Sequence, residues 1–439
     1  MKRALAPYVV KFGGASVDAP ARIVARVRAL RTRGQAVVVV ASARAGVTDL
    51  LKSVLESPGD RAGHARALAA IARLHPDLPN SGRRHLERLA RLVRSVEELG
   101  AADPALADRL LSQGERLAVA GLASHLTEHG IPATAVEADR LGLLTDDHYG
   151  RATVLIDRSR AAVRIGLFGI LAEDQVPVVT GYFGRSLEGH VATLGRGGSD
   201  YSATVIGAIL GARRVELIKR EVSVLSADPR LVPHARPISR LSYEEAEELA
   251  QFGAKVLHPL TVGPARMAGL EIIVRSLEDP RVATTIGPSH GPDGMRAVTL
   301  LSPLRLVRIR VPGGRQRPGI VADVSERLSE HGINIVTLFT SSTSLSLVLE
   351  RGRGRRAREV LGPIFRAGPA KLEGPLPVSL VTAIGDRVLD DLGKIPTPIL
   401  ARAEGLSATP RSISLAVPIS RGGAVVRAFH RALVESSPR

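Results

Sequence analysis

The sequence predicts a three-layer α/β domain followed by a pair of small α+β domains, and three observations carry that prediction. Short apolar runs of the buried-strand kind alternate with Ala/Leu/Arg-rich helices over the first two thirds of the chain. Several of the strands end in glycine-bearing turns that open a helix. Beyond residue 300 the texture changes to strictly alternating strands separated by shorter helices.

In order, Tyr8–Phe12 reads as a strand that stops at Gly13-Gly14, and 18–34 as an amphipathic helix. The run AVVVVA at 36–41 is apolar without alternation, as a strand covered on both faces is. Helices are expected over 47–57, 61–100 and 105–129, with Gly130 ending the last. Strands at 131–136 and 177–180 flank a helix at 157–174, and a glycine-rich loop opens a helix at 199–210. A strand at 214–218, a helix at 242–253 and a strand at 272–275 follow. Residues 286–300, with SHGPDG, read as a linker. LRLVRIRV at 304–311 alternates as a half-buried strand does; a helix at 319–331, strands at 334–340 and 343–350 and a helix at 355–366 complete one βαββα unit. A second unit has strands at 376–384 and 412–417 and helices near 386–402 and 422–435. The repeat is one of architecture, not visibly of sequence.

At 439 residues the chain has room for two to four domains. Aromatics are 3% and Trp is absent, so the cores must be built from Leu, Val, Ile and Ala. No cysteine is present, which excludes disulfides and thiolate metal sites. The opening MKRALAPYVVKFGG lacks the long apolar segment of a secretory leader, and no run reaches the ~18 apolar residues of a membrane span, so a cytoplasmic protein off the membrane is expected. The formal charge of +17 invites a nucleic-acid reading. It is carried mostly by scattered arginines, and the one dense cluster, Arg351 to Arg358, has no base-stacking aromatics, so solvated helix faces are expected instead.

Five segments carry groups suited to chemistry. Val10-Lys11-Phe12-Gly13-Gly14-Ala15-Ser16 runs a strand into glycines whose amides can approach phosphate, with Lys11 as a point charge beside them. Thr193-Leu194-Gly195-Arg196-Gly197-Gly198-Ser199-Asp200 sets glycines around an arginine able to hold a carboxylate, then two natural helix-capping residues. Ser112-Gln113-Gly114-Glu115-Arg116 starts a helix with an acid that either answers the helix dipole or holds an ammonium group. Ala227-Asp228-Pro229-Arg230 and Phe252-Gly253-Ala254-Lys255 offer further cations. There is no GxxxxGK[ST] loop and no HExxH, and VASARAG around Ser42 is not a nucleophile elbow.

In this order the segments resemble those of aspartokinases. VKFGGAS, VVASARAGVTDLL, SQGERLA, LGRGGSDYSA and ADPRLVPHARPISRLSYEEAEELAQFGAKVLHP all have counterparts in that family, and the likeness spans about 8–285, with weaker ACT-like patterning over 300–435. The layout is most like the monofunctional, lysine-sensitive subclass. The resemblance implies an amino-acid kinase domain over 1–290 and two ferredoxin-like ACT regulatory domains over 300–372 and 373–439, assembling at least as a homodimer, with an amino-acid effector between chains. It implies MgATP as phosphoryl donor, Mg2+ held mainly through the nucleotide phosphates with no separate protein metal site, and the side-chain carboxylate of L-aspartate as acceptor, the entry step to lysine, threonine and methionine. By the same resemblance Lys11 and Asp200 are catalytic. Ser42, Thr48, Glu115, Arg196, Gly197, Gly198 and Ser199 bind substrate. Lys11, Gly13, Gly14, Ser16, Lys219, Arg220, Leu225, Asp228, Arg230 and Lys255 contact the nucleotide.

The sequence departs from the family at Ile218–Leu225, where a Thr-Asp pair is replaced by Lys219-Arg220, a Gly by Ser223 and a Tyr by Leu225; Ala15 and Ala192 also replace threonines. An active kinase with altered base contacts, a kinase for another amino acid, and a nucleotide-free binding paralogue therefore stand as alternatives. The turn GINIVTLFTSS at 332–342 has no acid to hold a lysine ammonium, and Arg315 and Arg317 precede it, so lysine inhibition is expected to be weak or absent.

Overall fold

The computed structural model describes residues 6–219, 224–253, 257–279, 281–288, 294–311, 319–365 and 369–435, the side chains of 294–296 excepted. The chain divides into two compact units, one of Met1–Val224, Pro237–Ala246 and Val256–Gly291, the other of Leu225–Arg236, Glu247–Lys255 and Pro292–Arg439.

The first unit is built on strands β1 (Tyr8–Phe12), β2 (Val37–Ala41), β3 (Ala133–Val136), β4 (Val176–Thr180), β5 (Phe183–Arg185), β6 (Val191–Thr193), β7 (Arg214–Lys219), β8 (Arg240–Ser242), β9 (Glu271–Ser276) and β10 (Ala283–Gly287). Eight of them form one sheet in the order β3-β4-β2-β1-β7-β9-β10-β8, while β5 and β6 make a separate hairpin. Every pairing in the large sheet is parallel except β9 with β10. Parallel strands need both faces covered. On one face Val10, Phe12, Val37, Val39 and Val178 meet the helices Pro20–Arg31 and Gln113–Glu128. The alternate residues Val9, Val38, Val40 and Leu217 are buried on the other, where the helix Gly198–Leu210 lies. The three-layer α/β reading holds.

The second unit adds β11 (Gly294–Arg310), β12 (Ile335–Ser341), β13 (Ser344–Glu350), β14 (Lys371–Asp386), β15 (Gly405–Ala408) and β16 (Ser412–Pro418). They form a single antiparallel sheet in the order β12-β13-β11-β14-β16-β15. β11 is shared: Leu304–Arg310 pairs with β13 and with the start of β14, and Gly294–Leu301 pairs with the end of β14. Two helix-covered cores result, one around Val324, Leu328, Val360 and Leu361, the other around Val381, Leu415, Val426 and Phe429. This is the paired ACT-like architecture, with the two lobes laced together through β11 and β14. Residues 294–300, read as linker from their glycine and proline neighbours, are strand, because β14 supplies a partner for their backbone groups.

Several boundaries differ from the sequence reading. The helix expected over 61–100 is two, Arg61–Leu74 and Asn80–Leu99, because Pro76 and Pro79 cannot continue a helix. The one expected over 105–129 breaks at Ser112 into Pro104–Leu111 and Gln113–Glu128. Among the described residues no helix is long and apolar enough to cross a membrane.

Candidate active site

β1 and β7 are neighbours, with Lys11 opposite Leu217 and Phe12 opposite Ile218, so the chain leaves both strands at the same edge of the sheet. In parallel α/β sheets that carboxyl edge is where ligands collect. Lys11 lies one residue before the end of β1 and Lys219 is the last residue of β7. Asp200, from the first turn of the helix Gly198–Leu210, is received between them. Its Oδ1 is 2.7 Å from the Lys11 ammonium and its Oδ2 accepts a hydrogen bond from Lys219. Lys11 and Asp200 are buried, and Lys219 is about a quarter exposed.

Burial pushes the Asp200 carboxyl up, but the two ammonium charges outweigh it and hold the group down at about 2. Burial lowers Lys11 from its ordinary value, and the attraction of Asp200 works against that. The cluster therefore joins two cations to one anion, with a net positive charge facing the glycine turns.

Those turns are pressed close. A Cβ on Gly13 would come 3.3 Å from the Lys11 ammonium, and one on Gly14 would come 2.9 Å from the Ala43 carbonyl. Gly14–Val17 forms a single helical turn, and the Ser16 hydroxyl, expected to face the nucleotide, is buried and donates to the Ile218 carbonyl at 3.4 Å. Ser16 thus ties the glycine turn to the end of β7.

The second glycine loop works differently from the sequence reading. Ser199 and Asp200 were expected to cap the helix; the cap is Gly197, whose left-handed φ of +72° favours glycine, and its Cβ position is taken by His258. Ser199 and Asp200 lie inside the first turn, which frees the Asp200 side chain to face the lysines. A Cβ on Gly198 would sit 3.0 Å from Leu194 and 3.1 Å from Tyr182. Ser199 is buried, with its Cβ 2.7 Å from where one on Gly181 would lie. Arg196 is exposed in the loop, and burial together with its charge lowers the pKa of His258.

The third group is Glu115. It is buried; its Oε1 accepts the Ala43 amide at 3.0 Å, and its Oε2 is buried with no hydrogen-bond partner among the described residues. Burial raises its carboxyl to about 8, against the pull of the Ala43 amide and of Lys11. A buried acid with one open oxygen is well suited to a cationic ligand. Ser42 follows β2, its amide bonded to the Phe12 carbonyl at 3.2 Å, and Thr48 is half-buried at the start of the helix Val47–Glu56.

Of the other expected nucleotide contacts, Arg220 and Lys255 lie outside the described residues. Leu225, Asp228 and Arg230 belong to the second unit, where Arg230 is exposed and bonds Asp228 through Nε at 3.0 Å and Nη2 at 2.6 Å.

Sequence reasoning missed four supporting groups. Asp108 is buried and accepts the Thr193 amide and hydroxyl, each at 2.7 Å, and the Gly150 amide at 2.8 Å, which fixes β6 just ahead of the glycine loop. Tyr182 adopts φ +75°, a strained conformation for an aromatic residue, beside Gly198. Burial and the Glu115 charge raise its hydroxyl to about 12. Arg116 is fully buried and pairs with Glu137 and, at 2.7 Å, with Asp139. His258 lies against Gly197. Arg116 and His258 lie in strings the sequence singled out, SQGERLA and KVLHP, though neither string shows the contact; Asp108 and Tyr182 depend on partners distant in sequence.

This edge of the sheet gathers two lysines and a buried aspartate beside the glycine turns. The amino acid kinase family model matches residues 7–276. The lysine-sensitive aspartokinase 3 of Escherichia coli is 32% identical over 78% of both chains, and an aspartokinase of Thermus thermophilus is 29% identical over 98% of both. The crystal structure of E. coli aspartokinase III with aspartate and ADP superposes with a TM-score of 0.84 at 29% identity, covering 98% of this chain and 100% of that one. The chain belongs to the aspartokinases of the amino acid kinase family and is a kinase.

Proposed function

We propose that the protein transfers the γ-phosphoryl group of MgATP to the side-chain carboxylate of L-aspartate, giving 4-phospho-L-aspartate, the first committed intermediate toward lysine, threonine and methionine. The observation that carries this reading is the Lys11–Asp200–Lys219 cluster beside the Gly13-Gly14 turn. A carboxylate acceptor is ionised at neutral pH, so the reaction needs no general base. The protein's task is positioning and charge neutralisation. Lys11 stabilises the migrating phosphoryl group, Asp200 orients Lys11, and the amides of Gly13, Gly14, Gly197 and Gly198 complete the anion cradle. Mg2+, held through the nucleotide phosphates, would neutralise charge between them.

Glu115 is assigned to the substrate α-ammonium through its open Oε2, and Arg196 to the α-carboxylate, with Ser42, Thr48 and Ser199 lining the same pocket. Lys219 answers part of the question raised by the lost Thr-Asp pair. Its ammonium shares Asp200 with Lys11, so the substitution adds a cation where phosphate charge accumulates. Leu225, Asp228 and Arg230, with Arg220 and Lys255, remain nucleotide contacts in this proposal. The catalytic domain is taken as 1–290 and the regulatory domains as 300–372 and 373–439, forming a cytoplasmic homo-oligomer in which lysine acts weakly or not at all.

The test is a hydroxylamine trap for acyl phosphate with MgATP and, in turn, aspartate, glutamate and N-acetylated acids. Aspartate-dependent product is expected. Product from another acid alone would reassign the acceptor, and no product together with no calorimetric heat on adding ATP would leave a binding protein.

A further inference from the structure

Beyond the kinase site, the second unit holds a cluster that the catalytic reading does not use. His234 comes from the segment Leu225–Arg236, and His430 and Glu435 from the C-terminal end. The last helical stretch, His430–Glu435, is a π-helix that continues the helix Gly422–Phe429. In a π turn the bonding runs from i to i+5, which stacks residue 435 over residue 430, whereas an α-helix would turn them apart. The local geometry therefore sets the Glu435 carboxylate beside the His430 ring.

Glu435 Oε1 lies 2.7 Å from His234 Nε2 and 3.0 Å from His430 Nδ1. The ligand atoms of all three residues fall within 4.8 Å of one another. Ligands at about 2.0–2.1 Å from a tetrahedral zinc ion stand about 3.3 Å apart, so a small adjustment would admit the ion. The imidazole rings meet edge to face, with centroids 5.9 Å apart. His430 is buried, and its far nitrogen, Nε2, is 2.9 Å from the Ser226 hydroxyl. The Arg236 amide donates to that hydroxyl oxygen at 2.8 Å. Metal-binding histidines are commonly held in this way, with the non-ligating N–H given to an oxygen that fixes the ring and its tautomer. His234 is mostly exposed and Glu435 about a third exposed, which leaves a solvent side for a water ligand.

We propose that His234 Nε2, His430 Nδ1 and the Glu435 carboxylate form a site for one divalent transition-metal ion of the zinc class, with Ser226 orienting His430. The two-nitrogen, one-carboxylate donor set selects zinc-like ions over Mg2+, which prefers oxygen ligands and keeps its waters. An ion there would clamp the segment carrying Asp228-Pro229-Arg230 to the C-terminal helix within this unit. Both histidines must be neutral to bind.

The experiment is competition of the full-length protein with a chromophoric zinc chelator, with Mg2+ in excess throughout. Wild type is expected to take up one equivalent of Zn2+. His234→Ala, at an exposed position that leaves the core untouched, and Glu435→Gln should each abolish that equivalent; Ser226→Ala should weaken it about tenfold. Zn2+ should also raise the unfolding temperature of wild type and not of His234→Ala. No stoichiometric uptake by wild type, or wild-type affinity retained by either ligand variant, overturns the site.

Discussion

Strand β7 contributes to two clusters in which a buried carboxylate lies between two cations. In one, Glu216 is fully buried and accepts from Arg26 Nε and Nη2 at 3.0 and 2.6 Å, from Tyr8 at 3.3 Å, and from Arg275. In the other, Asp200 lies between Lys11 and Lys219. The charge count is the same and the use is not. Guanidinium forks fix Glu216 from several directions, in the middle of the strand. The Asp200 pair uses lysines, compact charges on flexible stems that can turn toward an arriving anion, and it lies at the strand's carboxyl end next to glycine amides. Position along one strand and the choice of lysine over arginine separate a structural cluster from one suited to phosphoryl transfer.

That contrast can be broken by substitution. Lys11→Met should lower acyl-phosphate formation by about 10³-fold, as loss of a main transition-state charge partner does. Asp200→Asn should cost about 10²-fold, because Lys11 loses its orienting anion. Glu216→Gln should leave the rate within about twofold while lowering unfolding free energy by about 3 kcal/mol, measured by denaturant titration, since it strands two arginines around a neutral group. A large rate loss in Glu216→Gln with little effect in Lys11→Met would invert the assignment. Lys219→Ala should raise KM for ATP about tenfold, and a KM left unchanged would remove Lys219 from the phosphate site.

A pH titration sharpens the same picture at Glu115. Its folded-state pKa is raised to about 8 from an ordinary 4.5, so the folded protein holds a proton that the unfolded chain has released. Stability in the absence of substrate should therefore fall as pH rises from about 4.5 to about 8, and Glu115→Gln should flatten that slope. Aspartate binding, which requires the ionised acid, should release a proton below pH 8 and strengthen as pH rises toward it. Calorimetry in buffers of different ionisation heat would detect that proton; its absence would remove the ammonium role.

Much of this site was legible because its parts are local. Lys11-Phe12-Gly13-Gly14 and Gly195 to Asp200 are strings in which strand, turn and helix start follow from neighbouring residues. What was hidden depends on contacts across the sheet. Lys219 entered only through the family resemblance, as a departure from a motif and an expected nucleotide contact, since nothing near it in sequence shows that the register of β1 and β7 delivers it to Asp200. Asp108 and Thr193 are far apart in the chain, and although Thr193 opens the glycine string nothing near Asp108 shows that the two meet. The break at Pro76 and Pro79 was visible in principle but was masked by the Ala/Leu/Arg composition on either side. β11 was read as beginning too late because Gly294 looked like linker, while β14, which completes its pairing, lies far downstream.

The most direct measurement is single-turnover acyl-phosphate formation from aspartate and MgATP in three proteins side by side: wild type, Lys11→Met and Glu216→Gln, each also followed by denaturant unfolding. The expected result is a rate collapse in Lys11→Met with its fold intact, and a near-normal rate in Glu216→Gln with its stability reduced. A well-folded Lys11→Met variant that forms acyl phosphate at the wild-type rate would contradict the account.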